Sequence, residues 1–146
     1  MSQFLEKYIY NHRYLFLSAS IGIAYLWFGF LKFFPGISPA ENLARETINL
    51  LTCGLIPASI SIILLAIWET LIGVLLILGR MNRVILSFAM LHMLCTFTPF
   101  IFFPSLSFNN DFFILTMVGQ YIIKNIIIIC ALVVLYVEKK KTTVLV

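Results

Sequence analysis

Three ionisable residues interrupt apolar stretches of this chain, and each of their side chains can hold or transfer a proton. Glu69 lies in LLAIWETLIGVLLIL, His92 in LSFAMLHMLC and Lys124 in GQYIIKNIIII. At a helical rise of about 1.5 Å per residue, each lies roughly 14 to 17 Å from the end of its apolar stretch. The sequence therefore predicts that three different helices bring these groups to a similar depth.

Other polar residues extend this pattern. Gln120 precedes Lys124 by one helical turn on the same face, and Asn125 lies on the adjacent stripe. Lys32, near the end of the first apolar stretch, either extends its ammonium group to the membrane surface or bends towards the other helices. The predicted buried polar cluster has these members: Glu69, His92, Gln120, Lys124, Asn125 and Lys32.

The energetics of a membrane favour contact between these groups. An ionised side chain costs about 2.5–3.5 kcal/mol at the membrane centre, so we predict that Glu69 pairs with Lys124. Gln120, His92 and Asn125 are the expected further partners. Hydrogen bonds between membrane helices average only about 0.6 kcal/mol, so such a pair adds little stability. Two interpretations stay open: the pair fixes which helices meet, or it serves the protein's function. His92 taken alone is more simply a core residue bonded to a backbone carbonyl.

Composition identifies the surroundings of the chain. Its 146 residues are 62% hydrophobic and 11% charged, with a mean hydropathy of +1.05. Soluble domains are about 45–50% apolar and about 25% charged, so this chain has too few charges to cover a water-facing surface. A lipid bilayer is the expected surrounding. The net charge of +4 comes from bases scattered at segment ends, which argues against a nucleic-acid partner.

Metal and redox-thiol chemistry find no support in the sequence. Cys53, Cys95 and Cys130 form no CxxC pair, and the two histidines have no partners at metal-ligand spacing. No cofactor is evident. The second outer loop, TFTPFIFFPSLSFNNDFF, is rich in phenylalanine. Aromatic residues usually fill the membrane interface, and the alternative is a stacked quinone or other hydrophobic ligand.

Four stretches are long and apolar enough to cross a membrane, namely residues 14–34, 55–79, 84–103 and 113–137. We therefore expect a single all-α domain, residues 1–146, that forms a four-transmembrane-helix bundle. The short turn GRMNR makes the second and third spans antiparallel neighbours.

A short amphipathic helix is predicted over residues 39–53, in the first outer loop. Ser38 and Glu41 have the spacing of a capping box, Pro39 suits the first helical position, and Gly54 can end the helix. Such a helix lies on the membrane surface. It is an anchoring connector or, alternatively, a lid over an external cavity.

The basic residues orient the chain. With four spans, both termini and the GRMNR turn lie on one side, and the loops of the other side hold only Arg45. Because short cytoplasmic loops carry excess lysine and arginine, both termini are predicted to be cytoplasmic. The bases that share the predicted cytoplasmic side are Lys7, Arg13, Arg80, Arg83, Lys139, Lys140 and Lys141.

Three segments resemble a known family. YLWFGFLKFFPGISPAE, WETLIGVLLILGR and GQYIIKNIIIICALVV are similar to the first-, second- and last-helix segments of the DoxX-like (DoxX/DoxD) family of small integral membrane proteins. The resemblance covers nearly the whole chain and implies a four-helix protein of the bacterial inner (plasma) membrane. Members are linked to quinone-reducing sulfur oxidation, thiol and oxidative-stress systems, amine-dehydrogenase maturation and, in animals, receptor assembly. The family supplies no agreed catalytic residues. The residues that match are Gly29, Lys32, Glu69, Gly73, Gly119, Lys124 and Asn125.

Three functions are consistent with these patterns. The first is an accessory or assembly subunit that holds a membrane protein partner, or a second copy of itself, in a redox or stress-related system. The second is a quinone-interacting oxidoreductase subunit that uses the buried Lys/Glu/His cluster. The third is a small proton-coupled transporter, although four spans leave little room for alternating access unless the protein dimerises. The sequence leaves open whether the protein is an enzyme.

Overall fold

The computed structural model describes residues 3–38, 41–109 and 114–144, with side chains described up to residue 139. The described part is all-α, as predicted. Four of its segments are long and apolar enough to cross a membrane: Gln3–Leu31, Ala58–Ile77, Arg83–Phe102 and Met117–Lys139. The helices, in chain order, are α1 (Gln3–Leu31), α2 (Glu41–Leu51), α3 (Ala58–Ile77), α4 (Arg83–Cys95), α5 (Pro99–Phe102), α6 (Pro104–Ser107), α7 (Met117–Ile123) and α8 (Asn125–Val144).

The first span differs from its predicted bounds of 14–34. Helix α1 already begins at Gln3, because helical backbone does not require hydrocarbon around it and hydropathy marks only the apolar part. It ends at Leu31, and a series of turns follows, with Gly36 in the left-handed region at φ 79°. Gly29 lies against Glu69, so α1 stops about halfway along α3.

Helix α2 confirms the predicted helix between the first and second spans. It packs against α3, and the Arg45 guanidinium donates a hydrogen bond to the carbonyl of Ala58, the first residue of α3. After Leu51 the chain turns, and the N–H of Gly54 bonds to the carbonyl of Asn49 at 2.8 Å. Gly54 has φ 75°, so a left-handed residue ends α2, as predicted.

The predicted capping box takes a different form. The Glu41 carboxylate accepts from the backbone N–H of Gly36 at 2.7 Å rather than from that of Ser38. The turns after α1 bring Gly36 within reach, which the spacing of the residues could not show. Pro39, predicted at the first helical position, lies outside the described residues.

The third and fourth spans are each interrupted. A turn over residues 96–98 separates α4 from α5, and Pro99 has no backbone N–H to continue the helical hydrogen bonds across it. The fourth span is irregular at Lys124, which keeps helical dihedral angles (φ −62°, ψ −20°), but its backbone nitrogen lies a long 3.4 Å from the carbonyl oxygen of Gln120. This span begins at Met117; its predicted start at Phe113 lies outside the described residues.

The tight turn between the second and third spans is confirmed. Gly79 has φ 69°, and the N–H of Arg80 bonds to the carbonyl of Leu75 at 2.9 Å. Asn82 then caps α4 by accepting from the N–H of Ile85 at 2.8 Å. Trp68 of α3 contacts Phe88 of α4, with ring centres 5.2 Å apart, so the two helices are neighbours.

The core lies among α1, α3, α4 and α8. Helix α1 packs mainly against α3, and α4 mainly against α8. Many other large apolar side chains point outwards, as expected for helices surrounded by lipid. The buried residues that form the core cluster are Ile21, Tyr25, Ile72, Leu76, Leu86, Ala89, Met93, Leu132 and Leu135.

Candidate functional site

Glycines set the distance between α1 and α3. A methyl group at Gly22 would lie 2.8 Å from the carbonyl oxygen of Gly73, and one at Gly29 would lie 2.8 Å from Cβ of Glu69. Small residues of this kind let the backbones of membrane helices approach closely. Ser18 adds a hydrogen bond of 2.8 Å to the carbonyl of Leu76 on α3. This close approach brings the end of α1 directly beside Glu69.

Glu69 and Lys32 form an ion pair at that point. The Lys32 ammonium nitrogen lies 2.5 Å from Oε2 of Glu69, and each side chain is less than 10% exposed. Lys32 follows α1 directly and also donates to the carbonyl of Phe28 at 3.2 Å. A cation at the C-terminal end of a helix is favoured by the helix dipole. Of the two alternatives for Lys32, the structure shows the one in which it bends towards the bundle.

His92 of α4 contacts the other carboxylate oxygen. Its Nε2 lies 3.3 Å from Oε1 of Glu69, and its Nδ1 lies 3.2 Å from the hydroxyl of Tyr25. The Tyr25 hydroxyl donates in turn to the backbone carbonyl of Ala89 at 2.8 Å. His92 is thus bonded to two side chains, and the simpler interpretation, a bond to a backbone carbonyl, is wrong for it.

The four side chains of Lys32, Glu69, His92 and Tyr25 form one continuous chain of contacts, which we call the buried polar network. It joins α1, α3 and α4. Tyr25 is 2% exposed and Glu69 is 6% exposed, so the network is closed off from the surroundings of the helices. Each of its members can gain or lose a proton.

The predicted pairing of Glu69 with Lys124 is wrong. The Lys124 side chain is exposed, and its ammonium nitrogen lies 4.2 Å from the ring centre of Tyr121 and 5.3 Å from that of Phe28. Lys32, and not Lys124, is the lysine that pairs with Glu69. Counting residues gives the depth of a side chain, but the rotation of each helix decides which way the side chain points.

Gln120 and Asn125 also lie outside the buried polar network. Gln120 is exposed and donates to the carbonyl of Leu115 at 3.4 Å. Asn125 donates to the hydroxyl of Thr96 at 2.9 Å. Thr96 begins the turn that interrupts the third span, and Asn125 follows Lys124, where the fourth span is interrupted. Asn125 therefore joins two helix interruptions rather than extending the cluster.

Sequence analysis missed Tyr25, although a signal was present. Tyr25 lies one turn before Gly29 and two turns before Lys32, so the three residues share a face of α1. A tyrosine inside an apolar span needs a hydrogen-bond partner for its hydroxyl, and such partners lie inside a bundle. The residue type and its spacing from Lys32 could have placed it in the cluster.

A second polar group lies at the start of α2. The Arg45 guanidinium bonds to Oε1 of Glu41 at 2.6 Å and 3.1 Å, while Oε2 accepts from Gly36. These hydrogen bonds, first from Arg45 and then from the Gly36 N–H, hold the pKa of Glu41 below its usual value. Gly36, Glu41 and Arg45 line a small polar depression, together with Ser38 and Asn42. It is separate in sequence from the buried polar network.

No protein-family model matches this chain, and no similar chain was found among curated proteins or solved structures. The similarity to the DoxX-like family stays a prediction from the quoted segments.

Proposed function

We propose that the protein is an integral membrane accessory or assembly subunit of the DoxX-like type, which holds a partner in the membrane as part of a redox or stress-related system. One observation carries the proposal: Lys124 is exposed within a membrane-spanning segment, and in the described part of the chain no carboxylate lies within ion-pair distance of it.

The depth of Lys124 makes its exposure costly. It lies about 10 Å from the Met117 end of its span at 1.5 Å per residue. A lysine costs about 2.5–3.5 kcal/mol at the membrane centre, and this is the upper bound for Lys124, which lies between the centre and the end of its span. Contacts with aromatic rings at exposed sites return only about 0.5–1 kcal/mol. A membrane helix that supplies a carboxylate beside Lys124 would remove this cost, and exposed Gln120 one turn away offers a further hydrogen bond.

The proposal includes the bacterial inner membrane, with both termini in the cytoplasm. The uneven distribution of lysine and arginine between the two sides supports this orientation. Attaching a reporter enzyme that folds only in the cytoplasm to each terminus tests it. Activity at both termini is expected, and activity at neither would reverse the orientation.

Partner binding is tested by gentle purification of the full chain followed by mass spectrometry. Lys124→Met should reduce the amount of recovered partner at least tenfold, which corresponds to a loss of about 1.4 kcal/mol of binding free energy. Lys124→Arg keeps the positive charge and should retain the partner. Tyr121→Phe is the matched control on the same face. Equal recovery with all variants refutes the proposal. Two differently tagged copies, purified together, show whether the partner is a second copy of this chain.

The buried polar network favours a second candidate, a quinone-interacting oxidoreductase subunit. A carboxylate, an imidazole and a phenol in contact could deliver protons to a quinone. Quinone that co-purifies with the wild type and is lost in His92→Phe would support this function. Because Lys124 lies outside the network, Lys124→Met should leave quinone binding unchanged.

The paired interruptions of the third and fourth spans favour the third candidate, a proton-coupled transporter. Discontinuous helices form the substrate sites of many transporters, and the Asn125–Thr96 hydrogen bond links the two interruptions here. Flux of a small solute into proteoliposomes, driven by a pH gradient and reduced in Asn125→Leu, would support transport. Absence of flux with a broad panel of solutes argues against it.

A further inference from the structure

The hydrogen bonds of the buried polar network determine how many protons it holds. The Tyr25 hydroxyl lies 2.8 Å from the carbonyl oxygen of Ala89, which can only accept, so the single hydroxyl proton points to that carbonyl. The 3.2 Å contact between Tyr25 and Nδ1 of His92 then requires a proton on Nδ1.

A neutral imidazole carries one proton. With that proton on Nδ1, Nε2 of His92 presents a lone pair towards Oε1 of Glu69 at 3.3 Å. An ionised carboxylate presents a lone pair as well, and the two would repel. The contact becomes a hydrogen bond when one more proton lies on either atom.

We propose that the Glu69–His92 contact is a proton-binding site, which holds one proton more than a neutral histidine and an ionised glutamate together. The proton comes from water and forms an N–H or O–H bond: imidazolium with carboxylate, or neutral imidazole with carboxylic acid. The inference does not depend on the accessory function proposed above.

Two further titratable side chains surround the Glu69–His92 contact in the described part of the chain. In the described part of the chain, the titratable groups that contact Glu69 or His92 are Lys32, which follows α1, and Tyr25, on α1. Lys32 attracts the ionised form of Glu69, whereas Tyr25 fixes the orientation of the His92 protons. Lys32 bonds to Oε2, which leaves Oε1 for the bound proton.

Proton binding would control how α4 is attached. In the described residues, the hydrogen bonds from α4 to the α1–α3 pair all involve Tyr25, Glu69 or His92. Loss of the proton as pH rises replaces the Glu69–His92 hydrogen bond by a repulsive contact. The site would thereby make the contact between α3 and α4 respond to pH.

The test is nitrogen-15 NMR of histidine in the full-length protein in phospholipid nanodiscs, titrated from about pH 5 to about pH 8, where an unperturbed histidine changes charge. The chain has two histidines, and His12→Gln assigns the signals. We expect His92 to keep its Nδ1 proton throughout. Infrared spectroscopy in the carboxylic-acid region, with Glu69→Gln as reference, locates the extra proton when it lies on Glu69.

Two variants separate this proposal from a merely structural role. Tyr25→Phe removes the group that fixes Nδ1–H, so His92 should change to the neutral form with its proton on Nε2. Glu69→Gln offers an amide N–H to Nε2, so His92 should stay neutral with its proton on Nδ1, and the extra proton should be lost.

With the signals assigned, the protonation of His92 and Glu69 in the unaltered network decides the question, even where Tyr25→Phe does not fold. An extra proton on either His92 or Glu69 supports the proposal. A His92 that stays neutral beside an ionised Glu69 over the whole pH range, with its proton on either nitrogen, overturns it. A proton on Nε2 would mean that the Tyr25 hydroxyl donates to His92 instead of to Ala89.

Discussion

The ammonium nitrogen of Lys32 lies 2.5 Å from Oε2 of Glu69, and both side chains are almost fully buried. The two residues come from different helices, 37 positions apart in the chain. Their contact depends on the glycines that bring α1 against α3, because a Cβ at Gly29 would already touch Cβ of Glu69. Close helix packing and the buried ion pair are thus parts of one arrangement.

Removing one member of this pair should destabilise the protein strongly. Lys32→Met leaves the Glu69 carboxylate without its lysine, and breaking a buried pair typically costs 3–5 kcal/mol, so we expect a loss of about 3–5 kcal/mol in the free energy of unfolding. The double variant Lys32→Met with Glu69→Leu should recover most of that loss. Unfolding in mixed micelles measures both effects. Lys124→Met is the matched control; an equal loss there would show that the effect is not specific to the pair.

The contact between α1 and α3 should tolerate no extra methyl group. A Cβ at Gly73 would lie 2.5 Å from the backbone nitrogen of Leu26, so one of the helices must shift. We expect Gly73→Ala to destabilise by about 1–3 kcal/mol, the usual cost of overpacking. Val74→Ile adds one carbon at the exposed neighbouring position and should change the stability little. Comparable stability of the two variants would contradict the close packing.

The hydrogen bond between Asn125 and Thr96 should appear as a coupling energy between substitutions at the two positions. Thr96→Val and Asn125→Leu, alone and together, form a double-mutant cycle. Bonds between membrane helices average about 0.6 kcal/mol, so coupling of about that size is expected in unfolding measurements. A second cycle with Thr98→Val and Asn125→Leu is the control. The Thr98 hydroxyl donates to the carbonyl of Cys95 and not to Asn125, so this cycle should show no coupling. Purely additive effects at Thr96 and Asn125 would mean that the two interruptions are independent.

Helix α2 should loosen in acid. The folded pKa of Glu41 is lowered, first by Arg45 and then by the Gly36 N–H. Its stabilisation is therefore complete above the unfolded pKa of about 4.3 and is lost as pH falls through the lower folded value. The protection of the α2 amides against hydrogen exchange, taken relative to their intrinsic exchange rates at each pH, should fall over that range. Glu41→Gln should remove this pH dependence, whereas Glu46→Gln, at an exposed position on the same helix, should keep it.

The sequence by itself determined the fold class and the tight turn between the second and third spans. Runs of apolar residues identify membrane-crossing helices because hydrocarbon offers the backbone no hydrogen bonds, so the chain must form helices there. The short GRMNR segment indicated a tight turn, and the structure shows how it is made: Gly79 adopts a left-handed conformation and Asn82 caps the following helix. The depth of Glu69 and His92 also followed from counting residues, and the two side chains do meet.

Only the tertiary structure decided which lysine pairs with Glu69. Counting residues placed Lys124 at the depth of Glu69 and Lys32 near the end of its span, yet Lys32 forms the pair because its side chain bends towards the bundle, whereas Lys124 faces outwards. That direction depends on packing between helices that are distant in sequence, above all the contact of Gly22 and Gly29 with α3. The tertiary structure was also needed to show the interruption at Lys124, because no proline or glycine stands beside it in the sequence. Depth is a property of one helix, whereas partner choice is a property of the bundle.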